Sequence, residues 1–333
     1  METTYEARAD RYAEAGRLMR RCGRSGVMLP AVSLGLWKNF GTGQNPETAQ
    51  ALIHFALNHG IVHLDLANNY GPPPGAAEET LGRLLATSLA PYRDELFIAT
   101  KAGYDMWPGP YGNWGSRKSL MASMDQSLRR LGTDYVDLFY SHRYDPLTPL
   151  EETLQALVDL VRAGKALYVG LSRWPLEATR RGLEYLRERD VPCLCYQGRL
   201  NLLDRAPVTE GILPLAEREG CGFVAFSPLA QGLLTDRYLA GIPDDSRMKR
   251  GESLKAETLT PALAAQLKGL KALADERGET VARVALKWVL QHEGVTSVIV
   301  GASRVAQLHD NLQCLDGAPL SPEELARIET LFG

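Results

Sequence analysis

The sequence predicts an α/β fold, a closed (β/α)8 barrel in which parallel strands alternate with helices. Eight short apolar, β-branched runs recur along the 333 residues. Successive runs begin about 30 to 40 residues apart, the length of one β-loop-α-loop unit, except for a longer gap before the last. A doubly wound dinucleotide fold would instead open on a strand, a G-x-G-x-x-G turn and a helix. The nearest segment, residues 41–46, lacks the third glycine, so the barrel is favoured.

Each predicted strand is a short run of mainly apolar residues bounded by turn signals. The runs are 32–36, 61–66, 96–100, 135–140, 166–171, 193–196, 222–226 and 297–300. Before the first run, residues 22–26 (CGRSG) are typical of a tight turn, and we expect a small hairpin within 21–30 that closes the N-terminal end of the barrel. The chain divides into a polar N-terminal extension, 1–17, and a single barrel domain, 18–333.

Two of the predicted helices begin at recognisable caps. Residues 148–151 (TPLE) and 321–324 (SPEE) both place a hydroxyl residue before a proline, with a glutamate three positions after the hydroxyl. That pattern is typical of an N-cap followed by proline in the first helical turn. We therefore expect Thr148 and Ser321 to cap their helices.

Composition and charge restrict the functional classes. Apolar residues make up 45% and charged residues 23%, while 37 basic and 40 acidic residues give a net charge of −3. With no basic block and no long apolar run, we expect neither nucleic acid nor membrane as a partner. Five scattered cysteines without a CxxC pair, and a polar start unlike a signal peptide, indicate the cytoplasm. We expect no metal, because His54, His59 and His63 lack the spacing of zinc ligands.

Two segments between predicted elements are longer than ordinary loops. Residues 103–116 follow the third strand and 228–259 follow the seventh, so both lie at C-terminal strand ends, where barrels build their sites. The first segment is rich in Trp, Tyr, Gly and Pro, which suits a semi-rigid aromatic wall for a small ligand. A loop that packs only on itself is the alternative interpretation.

The residues at the ends of the predicted strands are mostly polar or titratable. They are Trp37, Asp65, Lys101, His142, Ser172, Gln197, Ser227 and the run Gly301, Ala302, Ser303, Arg304. In a barrel these positions converge on one mouth. Each alone has an ordinary explanation, such as a capping aspartate, a surface lysine or a core histidine. The Asp, Lys and His at three consecutive strand ends, with Tyr70 five residues after Asp65, instead indicate a proton-transfer site.

This constellation suits carbonyl reduction, which needs a hydride donor and an acid that protonates the developing alkoxide. Tyr70 is the candidate acid, but a phenol with a pKa of about 10 needs a neighbour that stabilises its phenolate. We expect the charge of Lys101 to lower the pKa of Tyr70, with Asp65 keeping the lysine charged and oriented. His142 would then hydrogen-bond the substrate oxygen, so that two donors face the carbonyl.

Several blocks resemble the aldo-keto reductase family, over about residues 20–332. They are HLDLANNYG (63–71), ATKAGYDMWPGPYG (99–112), YVDLFYSHRYDP (135–146), YVGLSRW (168–174), FSPLAQGLLT (226–235) and SVIVGASR (297–304). The resemblance implies a (β/α)8 barrel that binds NADPH across its C-terminal mouth, and a homo-oligomer, either a tetramer or an octamer. The blocks are most similar to the bacterial L-glyceraldehyde 3-phosphate reductases and next to the potassium channel β subunits. The sequence ends at Gly333, where relatives often carry a longer segment over the substrate pocket.

The resemblance also assigns site residues. The catalytic tetrad falls on Asp65, Tyr70, Lys101 and His142. The nicotinamide end of NADPH falls on Ser172, Arg173, Gln197 and Phe226, and the pyrophosphate on Ser227, Leu229, Gln231 and Gly232. The adenosine 2′-phosphate end falls on Arg237, Arg247, Ser303, Arg304, Gln307 and Asn311, while Trp37, Asp65 and Gly301 complete the cofactor set. Independently, the run from Gly301 to Arg304 ends a strand and opens a helix, which is an anion site that favours NADPH over NADH.

We therefore expect an NADPH-dependent reductase of small aldehydes, with L-glyceraldehyde 3-phosphate and methylglyoxal as candidate substrates. The competing interpretation is an accessory protein like the channel β subunits, which holds NADP(H) with little catalysis. His142 favours the enzyme, since the animal channel subunits carry Asn at the matching position. A third interpretation, a metal-dependent barrel hydrolase, would need several His and Asp ligands at strand ends, where His142 is the single histidine.

Overall fold

A parallel barrel forms the centre of the protein. The computed structural model describes residues 5–239, 241–242, 249 and 254–333. The barrel strands are β3 (Val32–Gly35), β4 (His63–Asp65), β5 (Phe97–Ala102), β6 (Val136–Ser141), β7 (Ala166–Ser172), β8 (Cys193–Arg199), β9 (Gly222–Phe226) and β10 (Val295–Val300). Neighbours around the barrel follow the chain order, and β10 closes it against β3. Each predicted strand is present, and the predicted (β/α)8 barrel is confirmed.

The predicted hairpin is also confirmed, as β1 (Met19–Arg21) and β2 (Met28–Pro30) in antiparallel pairing. Its Cys22 and Leu29 are fully buried and pack with inward-facing barrel residues such as Tyr140. Gly23 has a positive φ of 55°, and a Cβ there would lie 2.2 Å from the Gly220 carbonyl oxygen. Only glycine fits that turn, and its lack of a side chain lets the hairpin pack closely against the barrel end.

Helices surround the barrel and bury their apolar faces together with the outward-facing strand residues. In the described part of the chain they are α1 (Ala15–Leu18), α2 (Pro46–Asn58), α3 (Ala76–Leu85), α4 (Arg117–Leu131), α5 (Leu150–Arg162), α6 (Leu176–Arg187), α7 (Ala206–Thr209), α8 (Ile212–Glu219), α9 (Pro261–Glu276), α10 (Val281–Leu290), α11 (Val305–Leu312) and α12 (Pro322–Phe332). Short 3-10 helices span Ala90–Glu95, Ala230–Gly232, Asp236–Tyr238, Ala256–Thr258 and Gln313–Leu315.

One of the two predicted helix caps is correct. Ser321 and Glu324 form a reciprocal capping box at α12, in which each side chain accepts from the other's backbone N–H, at 3.2 and 2.7 Å. The prediction for Thr148 was wrong, since α5 begins one residue later and Pro149 occupies the cap position. The Thr148 hydroxyl instead donates to Asp145 Oδ2 at 2.6 Å. A nearby carboxylate outcompetes the weaker backbone contact for that hydroxyl.

Two further properties of the described residues bear on function. No helix among them combines the length and the apolarity needed to cross a membrane. Within the same residues, no group of three or more His, Cys, Asp or Glu side chains is arranged to hold a metal ion.

Candidate active site

The four residues of the predicted proton-transfer site meet at the C-terminal mouth of the barrel. Asp65 is the last residue of β4, Lys101 lies at the end of β5, and His142 directly follows β6. The parallel register aligns Asp65 with Ala99 and Lys101 with Tyr140, so these ends are neighbours. Tyr70 comes from the loop after β4, where its N–H donates to the Ala67 carbonyl at 3.0 Å and turns the chain back over the barrel.

Asp65 and Lys101 form a buried ion pair, with Nζ 2.6 Å from Oδ2 and the lysine side chain fully buried. Nζ also donates to the Leu66 carbonyl at 2.6 Å, and Gln197 Nε2 donates to Asp65 Oδ1 at 2.9 Å. Burial lowers the pKa of Lys101, while the Asp65 charge and its hydrogen bond oppose that shift. The carboxylate therefore stabilises a charged ammonium in a desolvated position.

Tyr70 lies beside that ammonium. Lys101 Nζ is 5.1 Å from the Tyr70 ring centroid, and the Tyr70 and His142 rings are 5.8 Å apart. Burial raises the pKa of Tyr70 well above its ordinary value, with Asp65 adding to the shift and Arg173 opposing it. This differs from the expected lowering by Lys101, because desolvation of the phenolate outweighs the opposing charge of Arg173.

His142 is held as a neutral imidazole. Burial lowers its pKa well below the ordinary histidine value, and the charges of Lys101, Arg173 and Arg143 lower it further. Its Nδ1 is buried and has no hydrogen-bond partner among the described residues. A neutral histidine beside a phenol can donate one hydrogen bond to a substrate oxygen without itself titrating near neutral pH.

The residues expected at the nicotinamide end surround this group. Ser172 and Gln197 are buried at the ends of β7 and β8, where they are paired in register. Arg173 is exposed and has a positive φ of 55°, a strained backbone for a residue other than glycine. Trp37 is 40% exposed, with its ring 6.2 Å from that of Tyr70. Phe226 is half-buried at the end of β9.

The loop after β9 carries the residues expected at the pyrophosphate. Ser227, Ala230 and Gln231 all have positive φ values, of 52°, 46° and 60°. Asn201 holds the loop by donating from Nδ2 to the Ser227 carbonyl at 3.0 Å. Strain of this kind concentrates at ligand sites, where the surrounding structure must pre-form the loop. Leu229 and Gly232, the other two residues expected at the pyrophosphate, are half-buried in the same loop. Two residues expected at the adenosine end follow it in sequence: Arg237 is exposed in the Asp236–Tyr238 turn, and Arg247 lies outside the described residues.

The residues expected at the adenosine end lie where β10 leads into α11. Gly301, Ser303 and Arg304 are exposed, and in the described structure the side chain of Arg304, which occupies the cap position, makes no capping hydrogen bond to α11. The Ser303 N–H and hydroxyl both donate to Gln307 Oε1, at 2.9 and 3.0 Å, while Asn311 is buried further along the helix. Backbone N–H groups at such a helix start suit an anionic phosphate.

The sequence reasoning missed one polar group in this mouth. The Asn68 side chain is 1% exposed, and neither its Oδ1 nor its Nδ2 has a hydrogen-bond partner among the described residues. Its backbone N–H donates to the Lys101 carbonyl at 2.9 Å, which fixes it at the end of β5. Buried amides without partners are rare in protein interiors. The adjacent Asn68 and Asn69, between the predicted Asp and Tyr, were the available signal.

These residues fit a nicotinamide dinucleotide. Among the described residues, the mouth combines a buried amide without a partner, a strained loop anchored by Asn201, a helix start without a side-chain cap and an exposed arginine beside it. Apart from Arg247, which is not described, every residue assigned to the cofactor lies on a strand end, or on a loop or helix that follows one.

Comparisons with known proteins agree with this geometry. A model of the Aldo/keto reductase family matches residues 31–332. The chain is 54% identical over 315 residues to the L-glyceraldehyde 3-phosphate reductase of Escherichia coli O157:H7, covering 93% of this chain and 91% of the relative. It is 34% identical over 320 residues to a probable voltage-gated potassium channel subunit beta of Arabidopsis thaliana, covering 94% and 96%. A similar subunit from Oryza sativa subsp. japonica is 34% identical over 319 residues, covering 94% and 95%.

Proposed function

This chain belongs to the aldo/keto reductase family and is an oxidoreductase, and we propose that it reduces small aldehydes to alcohols with NADPH. The family resemblance drawn from the sequence is confirmed. The observation that carries the proposed reaction is the buried Asp65–Lys101 ion pair with Tyr70 and His142 around it. An ammonium beside a phenol stabilises the phenolate that forms when the phenol transfers its proton to a carbonyl oxygen.

We assign each member of the tetrad one task. NADPH, when bound, supplies the hydride that the carbonyl carbon receives. Tyr70 donates its proton to the carbonyl oxygen, and neutral His142 hydrogen-bonds the same oxygen as negative charge develops there. The Lys101 ammonium, 5.1 Å from the ring centroid, stabilises the phenolate that remains, and Asp65 keeps that ammonium oriented.

The cofactor preference follows from the adenosine end of the site. Arg304 is exposed at the start of α11, and the first turn of that helix offers uncapped backbone N–H groups. A guanidinium binds a phosphate through two parallel N–H groups, which a ribose hydroxyl cannot match. We therefore propose NADPH in preference to NADH, with Arg304 as the residue that distinguishes them.

For the substrate we propose L-glyceraldehyde 3-phosphate, named for the 54% identical relative, together with small reactive aldehydes such as methylglyoxal. The competing function is that of a channel accessory subunit, named for relatives at 34% identity. His142 supports the reductase, because its imidazole lies beside the Tyr70 ring, where it can hydrogen-bond the oxygen of a reacting carbonyl.

The test is a panel of short aldehydes assayed with NADPH and with NADH, in the unchanged protein and in Tyr70→Phe. We expect turnover of glyceraldehyde 3-phosphate and methylglyoxal, faster with NADPH. Turnover should fall by about two orders of magnitude or more in Tyr70→Phe, the scale of positioned acid catalysis. Tight NADPH binding without aldehyde turnover in the unchanged protein would favour the accessory function. Equal turnover in both proteins would remove the assigned mechanism.

We also propose a cytoplasmic location. All five cysteines are buried free thiols, which a reducing compartment preserves. The homo-oligomer expected from the family resemblance stays a prediction.

A further inference from the structure

Arg143, the residue after His142, is held from several sides. Its Cζ lies 3.5 Å from the Trp114 ring centroid and 4.2 Å from that of Tyr104. Its Nε donates to the Gly103 carbonyl at 2.8 Å, and its Nη2 donates to Asn113 Oδ1 at 2.7 Å. The guanidinium is therefore fixed against the aromatic segment 103–116 by contacts within the protein.

The segment is strained to make this contact. Trp114 has a positive φ of 65°, which is rare for a bulky residue, and the residue is 39% exposed. The Trp114 N–H donates to the side chain of Asn113 at 2.7 Å, the same oxygen that accepts from Arg143. Strain that persists in a loop is maintained by surrounding contacts and is concentrated at functional sites.

Arg143 keeps hydrogen-bonding capacity that these contacts do not use. A guanidinium has five N–H groups, and the contacts to Gly103 and Asn113 engage one on Nε and one on Nη2. The remaining N–H groups lie on Nη1 and Nη2, the two nitrogens that bind a phosphate in the bidentate arrangement. The partners of Arg143 among the described residues are two oxygens and two rings, and neither oxygen belongs to a carboxylate.

The Arg143 charge lies near His142, the residue proposed to bind the reacting carbonyl oxygen. One ring, that of Tyr104, contacts both groups, with its centroid 4.6 Å from that of His142 and 4.2 Å from Arg143 Cζ. A substrate oxygen at His142 and an anionic group at Arg143 would thus both lie close to the Tyr104 ring. A three-carbon aldehyde with a terminal phosphate carries such an oxygen and such an anionic group at its two ends.

We propose that Arg143 binds the terminal phosphate of a short aldehyde substrate and sets the preference for phosphorylated over neutral aldehydes. This inference rests on the proposed aldehyde reduction. A guanidinium already held by two rings and two oxygens loses little conformational freedom on binding, which is the condition for strong recognition of a small anion.

The experiment compares glyceraldehyde 3-phosphate with glyceraldehyde, at saturating NADPH, in the unchanged protein, Arg143→Gln, Arg143→Lys and Arg189→Gln. Arg189 is the matched control, since its Cζ stacks 3.3 Å from the Tyr185 ring centroid just beyond the end of α6, away from the mouth. In Arg143→Gln we expect the ratio of kcat/KM values, phosphorylated to neutral, to fall about 10- to 100-fold, mainly through KM. Arg143→Lys should lose less, and Arg189→Gln should keep the ratio.

Inorganic phosphate provides a second measurement. At saturating NADPH, phosphate should compete with glyceraldehyde in the unchanged protein and not in Arg143→Gln. Direct phosphate titration followed by tryptophan fluorescence should show the same difference, since Trp114 lies against the guanidinium. This titration decides the inference even if no aldehyde is reduced, an outcome that would remove the proposed function instead.

An equal fall in kcat/KM for both aldehydes in Arg143→Gln would overturn the inference, because Arg143 would then only hold the loop. Unaltered phosphate competition in that variant would overturn it as well. Circular dichroism and the thermal midpoint identify a variant that fails to fold, in which case Arg143→Lys, which keeps the charge and loses the planar fork, carries the comparison.

Discussion

The two ends of the barrel are built differently. At the N-terminal end, the β1–β2 hairpin seats fully buried side chains such as Leu29 in the barrel, and Gly23 lies directly against the Gly220 carbonyl. At the C-terminal end, a charged lysine is buried at Lys101, the Asn68 amide has no partner among the described residues, and residues such as Trp114 and Ser227 have positive φ. The N-terminal end is packed in a way that favours stability, whereas the C-terminal end contains several features that reduce it.

The difference shows which end of the barrel contributes stability and which end reduces it. Buried charges and strained backbone each cost free energy, and they persist only in a scaffold that offsets them. The hairpin end supplies apolar burial and close backbone packing, and apolar burial stabilises the folded state. We therefore expect substitutions at the hairpin to change stability and not turnover, and substitutions at the mouth to change both or turnover alone.

Lys101→Met should have the largest effect. It leaves Asp65 as a buried charge without its ammonium partner, so the free energy of unfolding should fall by about 3 to 5 kcal/mol. Urea titration measures this fall, and aldehyde turnover should be lost in the same protein. In Lys101→Met with Asp65→Leu, stability should partly recover while turnover stays lost. A Lys101→Met protein as stable as the unchanged one would show that Asp65 tolerates burial without its ammonium partner, so that the mouth has no cost for the rest of the barrel to offset.

Leu29→Ala tests the opposite end. Removing a fully buried leucine side chain should cost about 2 to 5 kcal/mol of unfolding free energy, from lost burial and the cavity left behind. Turnover per folded molecule should stay unchanged. Met28→Ala, one residue earlier on the same strand and 43% exposed, is the matched control and should stay within about 0.5 kcal/mol of the unchanged protein. Reduced turnover in folded Leu29→Ala would contradict the separation of the two ends.

His63 tests the region between the two ends. Burial lowers its pKa to about 4, and its Nδ1 lies 2.8 Å from the Ser33 hydroxyl, which also contacts Ser297 at 2.6 Å. Between about pH 6.5 and 4 the unfolded chain binds a proton at this histidine that the folded protein does not. Stability should therefore fall as the pH falls through this range, by roughly 3 kcal/mol from this one group.

His63→Gln separates this contribution from that of His142, whose pKa burial also lowers. Chemical denaturation at several pH values should give a shallower fall in stability for the variant than for the unchanged protein. Parallel curves for the two proteins would show that His63 gains its proton in the folded state, and that the middle of the barrel is less dry than its burial indicates.

The same contrast explains how much the sequence could predict. Strand positions, the hairpin and the meeting of Asp65, Lys101 and His142 all follow from local patterns, since parallel strands bring their C-terminal ends together whatever the packing details. Some boundaries moved by only a few residues; the predicted run 61–66, for example, became His63–Asp65. The predictable features are those that depend on local sequence patterns, such as apolar runs and turn residues.

Features set by contacts distant in sequence were not predictable. The raised pKa of Tyr70 depends on desolvation by the whole mouth, and a residue list suggests only the neighbouring charges. The stack of Arg143 on Trp114 needs a backbone conformation that propensity disfavours. Thr148 matched the capping pattern, yet the carboxylate of Asp145 took its hydroxyl. In each case, tertiary structure overrides the local preference.

Arg304→Ala should produce the smallest effect, and it sharpens the contrast within the mouth itself. Arg304 is exposed and outside the buried tetrad, so its loss should leave the unfolding free energy within about 0.5 kcal/mol. The dissociation constant of NADPH should rise about tenfold, since one charge-assisted contact to the 2′-phosphate is lost, while that of NADH should stay nearly constant. Titration calorimetry with both nucleotides measures this, with Arg180→Ala on the outer surface of α6 as the control. Equal weakening of both nucleotides would mean that Arg304 acts on a part they share, and the selectivity would then have to come from elsewhere in the site.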